Sequence, residues 1–261
     1  MRVVQKTQSK DQYDAAEWAA RVDLAAAHRL AVMHGFSEGI YNHFTLLVPG
    51  RKDRFLTIPF GLHWSEVTAS CMITADLDGN VVAGDGELER SSFCIHAPIH
   101  RLLPQAACVF HTHMPFTSAL TRLEDQHIKA IGQTEVSMMG LTAYDDQYTG
   151  FARDPAEGAR LAKVLGPDKN ILFMANHGVV VAAESVAHAY DLLYYMERAA
   201  QVQLYAMWTG QKLRGVNEAV VNKAMKQFVA IPTYYGRPHY ELHFEALKRQ
   251  LDAKPPKRYD D

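Results

Sequence analysis

The chain has 261 residues, 48% of them apolar and 21% charged, a globular composition that excludes a wholly disordered or collagen-like chain. Its 27 basic and 29 acidic side chains leave a formal charge of −2, so no strong overall field draws it to nucleic acid or to an anionic membrane. Three cysteines cannot all pair within one chain, none stands in a CxxC spacing, and no stretch approaches the roughly 20 apolar residues of a membrane span; the sequence therefore reads as a soluble, cytoplasmic protein with reduced thiols.

One domain is expected over residues 15–252, between a loose segment at 1–14 and a frayed tail at 253–261. Trp18, Val22, Ala25, Leu30 and Met33 recur at helical spacing and predict a helix from Asp11 to Met33, with Gly35 just past its end. Short β-runs follow at 42–48, 54–58 and 72–75, and Asp78-Gly79 predicts a hairpin back into Val81-Val82. A helix capped by Ser91 or Ser92 should end before Pro104, and a strand over 106–110 should lead into His111-Thr112-His113. Asp154-Pro155 opens a helix that stops at Gly166. Strands at 170–174 and 179–182 flank Ala175-Asn176-His177-Gly178, Ser185 caps the longest helix, and a last helix falls near 215–230. Antiparallel runs mixed with helices predict a single α/β domain, a sheet with helices packed on its faces.

The 13 histidines carry the chemistry. His111 and His113 are two apart at a strand end, so both rings face the same side. His177 sits in a strand–turn–strand segment where Gly178 should allow the tight turn. Three neutral imidazoles with open positions make a catalytic divalent-metal site; zinc suits three nitrogens best, and manganese, iron or cobalt can use the same ligands. An isolated HxH is also met in ordinary cores, and spacing alone leaves both readings open. His96 and His100, four apart on one helix, read equally as supports of the site or as packed interior.

The series Asn42-His43-Phe44-Thr45, Ile58-Pro59-Phe60-Gly61, Ser92 with His96, His111-Thr112-His113 and Asn176-His177-Gly178 resembles the class II aldolase/adducin family, from about Leu24 to Trp208. The resemblance implies an α/β/α sandwich around a mainly antiparallel sheet, and His111, His113 and His177 as ligands of one divalent metal ion per subunit, usually zinc. It implies a homo-oligomer, commonly a C4 tetramer, with sites near subunit interfaces, where a C-terminal residue such as Tyr235 could reach a neighbour.

The resemblance also marks departures. The acid/base carboxylate of the family's aldolases falls at Ser92, and a hydroxyl cannot replace it without its own activating base; Glu87 and Glu89 are close in sequence, yet nothing in the sequence brings either to the metal. Asn42, Gly61, Arg90 and Ser91 fall at the substrate-binding places, with His43 where an Asn is expected. His43, Arg90 and Phe60 could receive a carboxylate-bearing substrate instead, although Phe60 reads equally as core filler and Arg90 as a solvated charge. His43, or the pair Tyr144 and Tyr148, could deliver a proton. These features point to a metal-dependent carbon–carbon lyase for a small hydroxy- or oxo-carboxylate, with decarboxylation slightly ahead of retro-aldol cleavage because no carboxylate base is evident. The alternatives are a non-catalytic adducin-like interaction module and an iron-dependent oxygenase on the same fold.

Overall fold

In the computed structural model the β-runs join into one eight-stranded sheet. Its strands are β1 (His43–Leu47), β2 (Arg54–Thr57), β3 (Ile73–Asp76), β4 (Val81–Ala83), β5 (Cys108–Thr112), β6 (Thr142–Asp145), β7 (Ile171–Met174) and β8 (Val179–Ala183), in the order β4-β3-β2-β1-β5-β8-β7-β6. Every neighbouring pair is antiparallel except β6 with β7. The structure describes residues 9–230, 233–253 and 258–261; positions 1–8 of the segment expected to be loose and 254–257 of the expected tail lie outside them.

Alternation along the strands sorts side chains into two layers. Phe44, Phe110, Phe173, Val179 and Val181 pack under α1 (Ala15–Met33), α6 (Val186–Trp208) and α8 (His239–Asp252), through Leu24, Tyr190 and Phe244 among others. Val109, Leu172, Val180 and Ala182 face the opposite way, against α2 (Arg90–Leu102) and α5 (Pro155–Leu165). The result is the expected α/β/α sandwich. Each fully buried Phe, Leu or Val contributes about 1.5–3 kcal/mol. The crossing of α2 and α5 is backbone-close: a Cβ at Gly158 would lie 2.2 Å from the Cys94 carbonyl. Pro98, four residues on, has no N–H to offer that carbonyl, so the contact costs no helical bond.

Several boundaries differ from expectation for local reasons. The first helix begins at Ala15, not Asp11, because the Asp14 carboxylate caps it by accepting from the Glu17 N–H at 2.8 Å. Neither serine caps α2; the Glu89 carboxylate does, accepting from the Ser92 N–H at 2.6 Å. Anionic Glu89 also meets the positive end of the helix dipole. The short elements α3 (Pro115–Leu120), α4 (Gln133–Met139) and β6 have too few turns or residues for a periodic signal, and the aromatic and histidine-rich segment after Tyr234 contains α8. The remaining helix, α7 (Glu218–Val229), is capped by Asn217. Residues 258–261 do not fray. Tyr259 is buried, and the Tyr259 and Asp261 carbonyls accept from the N–H groups of Ala69 and Ser70. Among the described residues no helix is long and apolar enough to cross a membrane, and all three cysteines are buried and free.

Candidate metal centre

The centre sits at one end of three adjacent strands. His111 is in β5, paired with His43 of β1 on one side and Val180 of β8 on the other. His113 lies just beyond β5, before Pro115 opens α3, and His177 lies in the turn between β7 and β8. The three ring centroids are 4.8–4.9 Å apart, and one candidate ligand nitrogen from each ring lies within 4.8 Å of the others.

Hydrogen bonds fix the ring roles. His111 Nδ1–H donates to the Val179 carbonyl at 2.9 Å, which leaves Nε2 with a lone pair. His113 Nδ1 is bonded to the Glu38 carboxylate, and its buried Nε2 has no hydrogen-bond partner. A buried acceptor left unsatisfied is costly, and a cation would satisfy it. Burial holds His111 well below the usual imidazole range, with repulsion from the His177 and His113 rings adding to it. Burial, His113 and Arg122 push His177 down to about 4. Near neutral pH His111 and His177 are lone-pair donors, and with the unpartnered Nε2 of His113 the set fits a divalent ion with open positions.

The turn explains itself differently from the sequence expectation. The left-handed residue is Asn176, at φ 57°, not Gly178. Gly178 is required by close approach: a Cβ there would lie 2.5 Å from the Thr112 carbonyl oxygen and 2.7 Å from His113 Cδ2. Asn42 is also left-handed, at φ 72°; its Oδ1 accepts from the His113 N–H, and its Nδ2 is buried without a partner. Two strained asparagines, each just before a histidine, therefore border one site. The turn is clasped by Arg122, whose guanidinium donates to the His177 carbonyl at 2.8 Å and the Ser118 carbonyl at 2.7 Å.

A cavity of about 860 Å³ opens over the three rings. Of the residues expected from the sequence it gathers Asn42, His43, Arg90, Ser91, Tyr148, His111, His113 and His177. Ser92 and Gly61 are not in its wall. Ser92 Oγ is buried without a partner, and Gly61 occupies a separate turn at φ 92°. Phe60 is neither core filler nor cavity lining, being exposed at the surface. Tyr144 turns into the core, its hydroxyl accepting from the Ile128 N–H, and takes no part in the wall. Tyr235 is almost fully exposed and away from the cavity.

Sequence reasoning missed Glu38, Arg122 and Arg153 in the wall, and left Glu89, noticed as a nearby acid, without a place at the site. Glu89 had a readable signal as an acid just before a helix. Its carboxylate accepts from the Ser91 hydroxyl at 2.6 Å and lies 3.8 Å from His43 Nε2, itself 3.1 Å from Ser91 Oγ. Burial opposes ionisation of Glu89, but the His43 ring, the Ser91 hydroxyl and the backbone N–H groups hold it below the ordinary carboxylate range. Burial pushes His43 down to about 4 against the pull of Glu89, so His43 rests neutral near pH 7.

This histidine-lined cleft on an α/β/α sandwich agrees with the comparisons. Residues 22–204 match the family model described as the Class II Aldolase and Adducin N-terminal domain. A protein of Pseudomonas aeruginosa provisionally assigned as a class 2 aldolase is 31% identical, over 94% of this chain and 93% of its own length. Alpha-adducin of Rattus norvegicus is 33% identical over 92% of this chain, which spans only 34% of that protein. The crystal structure of an aldolase II superfamily protein from Pseudomonas syringae superposes with a TM-score of 0.88 at 33% identity, covering 97% of this chain and 99% of that one. The chain belongs to the class II aldolase/adducin family.

Proposed function

We propose that the chain is a metal-dependent carbon–carbon lyase acting on a small anionic hydroxy- or oxo-compound, with a hydroxy- or oxo-carboxylate as the preferred class. One observation carries the reading: three converging imidazoles share a cavity with an ionised carboxylate that Ser91 links to His43. A divalent ion on His111, His113 and His177 would supply Lewis-acid polarisation of a substrate carbonyl or hydroxyl. Zinc matches three imidazoles best; manganese, iron and cobalt can use them.

The chain's own residues supply the rest. Arg90, Arg122 and Arg153 give the wall positive charge for an anionic group, and Asn42 Nδ2 offers an unused donor. Neutral His43 receives a proton at Nε2, and the Glu89 carboxylate 3.8 Å away stabilises the resulting cation. Tyr148 borders the cavity, its ring 6.3 Å from that of His177, and can donate a proton at the rim. Preference for decarboxylation rested on a missing proton acceptor. With His43 and Glu89 in the wall that reason lapses, and retro-aldol cleavage leads.

Exposed Tyr41 and Phe151 at the cavity mouth suit a homotetramer in which a neighbouring copy covers the rim. Three buried free thiols suit the reducing cytoplasm. The adducin relatives favour a second reading, a non-catalytic interaction module. Metal content decides between them. About one equivalent in protein purified without added metal, lost in the His111→Ala/His113→Ala variant, supports the lyase. No metal, and no thermal stabilisation by added zinc, manganese, iron or cobalt, overturns it in favour of the module. Turnover that requires oxygen would favour an iron oxygenase.

A further inference from the structure

Behind His43 runs a line of buried polar groups that the proposed chemistry does not touch directly. His43 Nδ1 lies 2.8 Å from His96 Nε2. His96 Nδ1 lies 2.7 Å from Thr45 Oγ1, Thr45 Oγ1 lies 2.8 Å from His100 Nε2, and His100 Nδ1 lies 2.6 Å from the Ala106 carbonyl oxygen. Thr45 is on β1, both relay histidines are on α2, and all three are buried. Burial holds His96 well below the usual imidazole range and His100 at about 4, so each ring carries a single proton near pH 7.

The direction of every bond then follows from the buried end. A carbonyl only accepts, so the His100 proton is on Nδ1 and its Nε2 is a lone pair. That lone pair needs the one Thr45 hydroxyl proton, and the competing approach of Thr45 to the Val109 carbonyl, at 3.3 Å, is too long to win it. The Thr45 oxygen therefore accepts from His96 Nδ1–H, and His96 Nε2 accepts from His43 Nδ1–H. We propose that His100, Thr45 and His96 form a directional relay of positioning residues, anchored on the Ala106 carbonyl, that dictates which nitrogen of His43 faces the cavity. The nitrogen left facing the cavity is Nε2, beside Ser91 Oγ. At its far side the single Ser91 proton goes to the Glu89 carboxylate at 2.6 Å, not to His43 at 3.1 Å, because the charged acceptor gives the stronger bond. His43 Nε2 thus faces Ser91 Oγ and, 3.8 Å away, the Glu89 carboxylate.

This deepens the role assigned to His43 above, and its test reads ring tautomers without any substrate, so a wrong relay and a wrong activity are told apart. The experiment is ring-nitrogen NMR of the zinc-loaded full chain near pH 7. In the wild type, His43, His96 and His100 should each show a pyrrole-type Nδ1 and a pyridine-type Nε2. Thr45→Val removes the hydroxyl at nearly constant shape; His96 and His43 should then both exchange to the Nε2–H form, and Thr45→Ser should restore the original pattern. A neutral His43, His96 or His100 with its proton on Nε2 in the wild type overturns the relay. So does a folded Thr45→Val protein whose His43 and His96 tautomers are unchanged.

Discussion

Gly178 gives the sharpest test of how the metal centre is held. In Gly178→Ala the new Cβ would stand 2.5 Å from the Thr112 carbonyl oxygen and 2.7 Å from His113 Cδ2. Both distances fall well inside ordinary contact. The carbonyl cannot retreat, since Thr112 is paired with Val179 in the sheet ladder, so the strain goes largely to the His113 ring and the turn carrying His177. Overpacking of this kind costs about 1–3 kcal/mol. At roughly 2–4 °C per kcal/mol for a chain of this size, the metal-free melting temperature should fall by about 2–12 °C. A displaced ligand ring should also weaken zinc by about 10–100-fold, the usual effect of disturbing a ligand's support. Thermal melts of metal-free protein and chelator competition for zinc measure the two effects separately. A variant that melts within about 1 °C of the parent and binds zinc equally well would refute the packing argument.

Three further outcomes follow from the same structure. Glu38→Gln removes the carboxylate on His113 Nδ1 at an exposed position, so zinc affinity should drop by about 10-fold or more while the metal-free melt stays put; chelator competition checks it, and unchanged affinity would exclude that support. His28 is fully buried and burial pushes it down to about 4, so the unfolded chain takes up a proton below about 6.5 that the folded chain refuses until about 4. Stability should therefore fall as pH drops through that window, by up to about 3 kcal/mol for this ring in addition to the other buried histidines, and His28→Gln should lessen the fall in urea unfolding by that share; a variant profile as steep as the parent's would contradict it. Arg160 grips buried Asp145 through two bonds of 2.8 and 2.6 Å, so Arg160→Leu should cost about 3 kcal/mol in urea unfolding, and a loss below about 0.5 would mean the carboxylate finds other partners.

The layers of this fold were legible because alternation is a local property. Val179 to Ala183 reads as strand from five residues alone, and the Asp154-Pro155 start of α5 needs only its own cap. One strand's period put His111 and His113 on the same side, whereas His177 joined them only through the family resemblance. The wall around the three rings was not legible. Arg122 reaches the site because it hydrogen-bonds carbonyls at Ser118 and His177, a pairing over 55 residues that no local pattern encodes. Glu89 was visible as a nearby acid, but serines are such common caps that its own place at the helix start, facing the cavity, was not. Tyr144 and Tyr148 are four residues apart, yet one ends on a strand facing the core and the other in a loop at the cavity, a distinction set by β6 pairing with β7.

The cavity has two halves of different origin. His43 and His111 stand on paired central strands, and His177 on a turn held by Arg122, whereas Tyr148, Phe151 and Arg153 come from the stretch between β6 and α5. Residues in that stretch can be exchanged, lengthened or shortened without moving a strand. Descendants of such a chain can therefore reshape the cavity by redrafting one surface loop while inheriting the histidine floor intact. For an engineer the same division names the place to build a library, residues 147–151, and the places to leave alone, among them buried Ala152 and Asp146, which is bonded to Gln126.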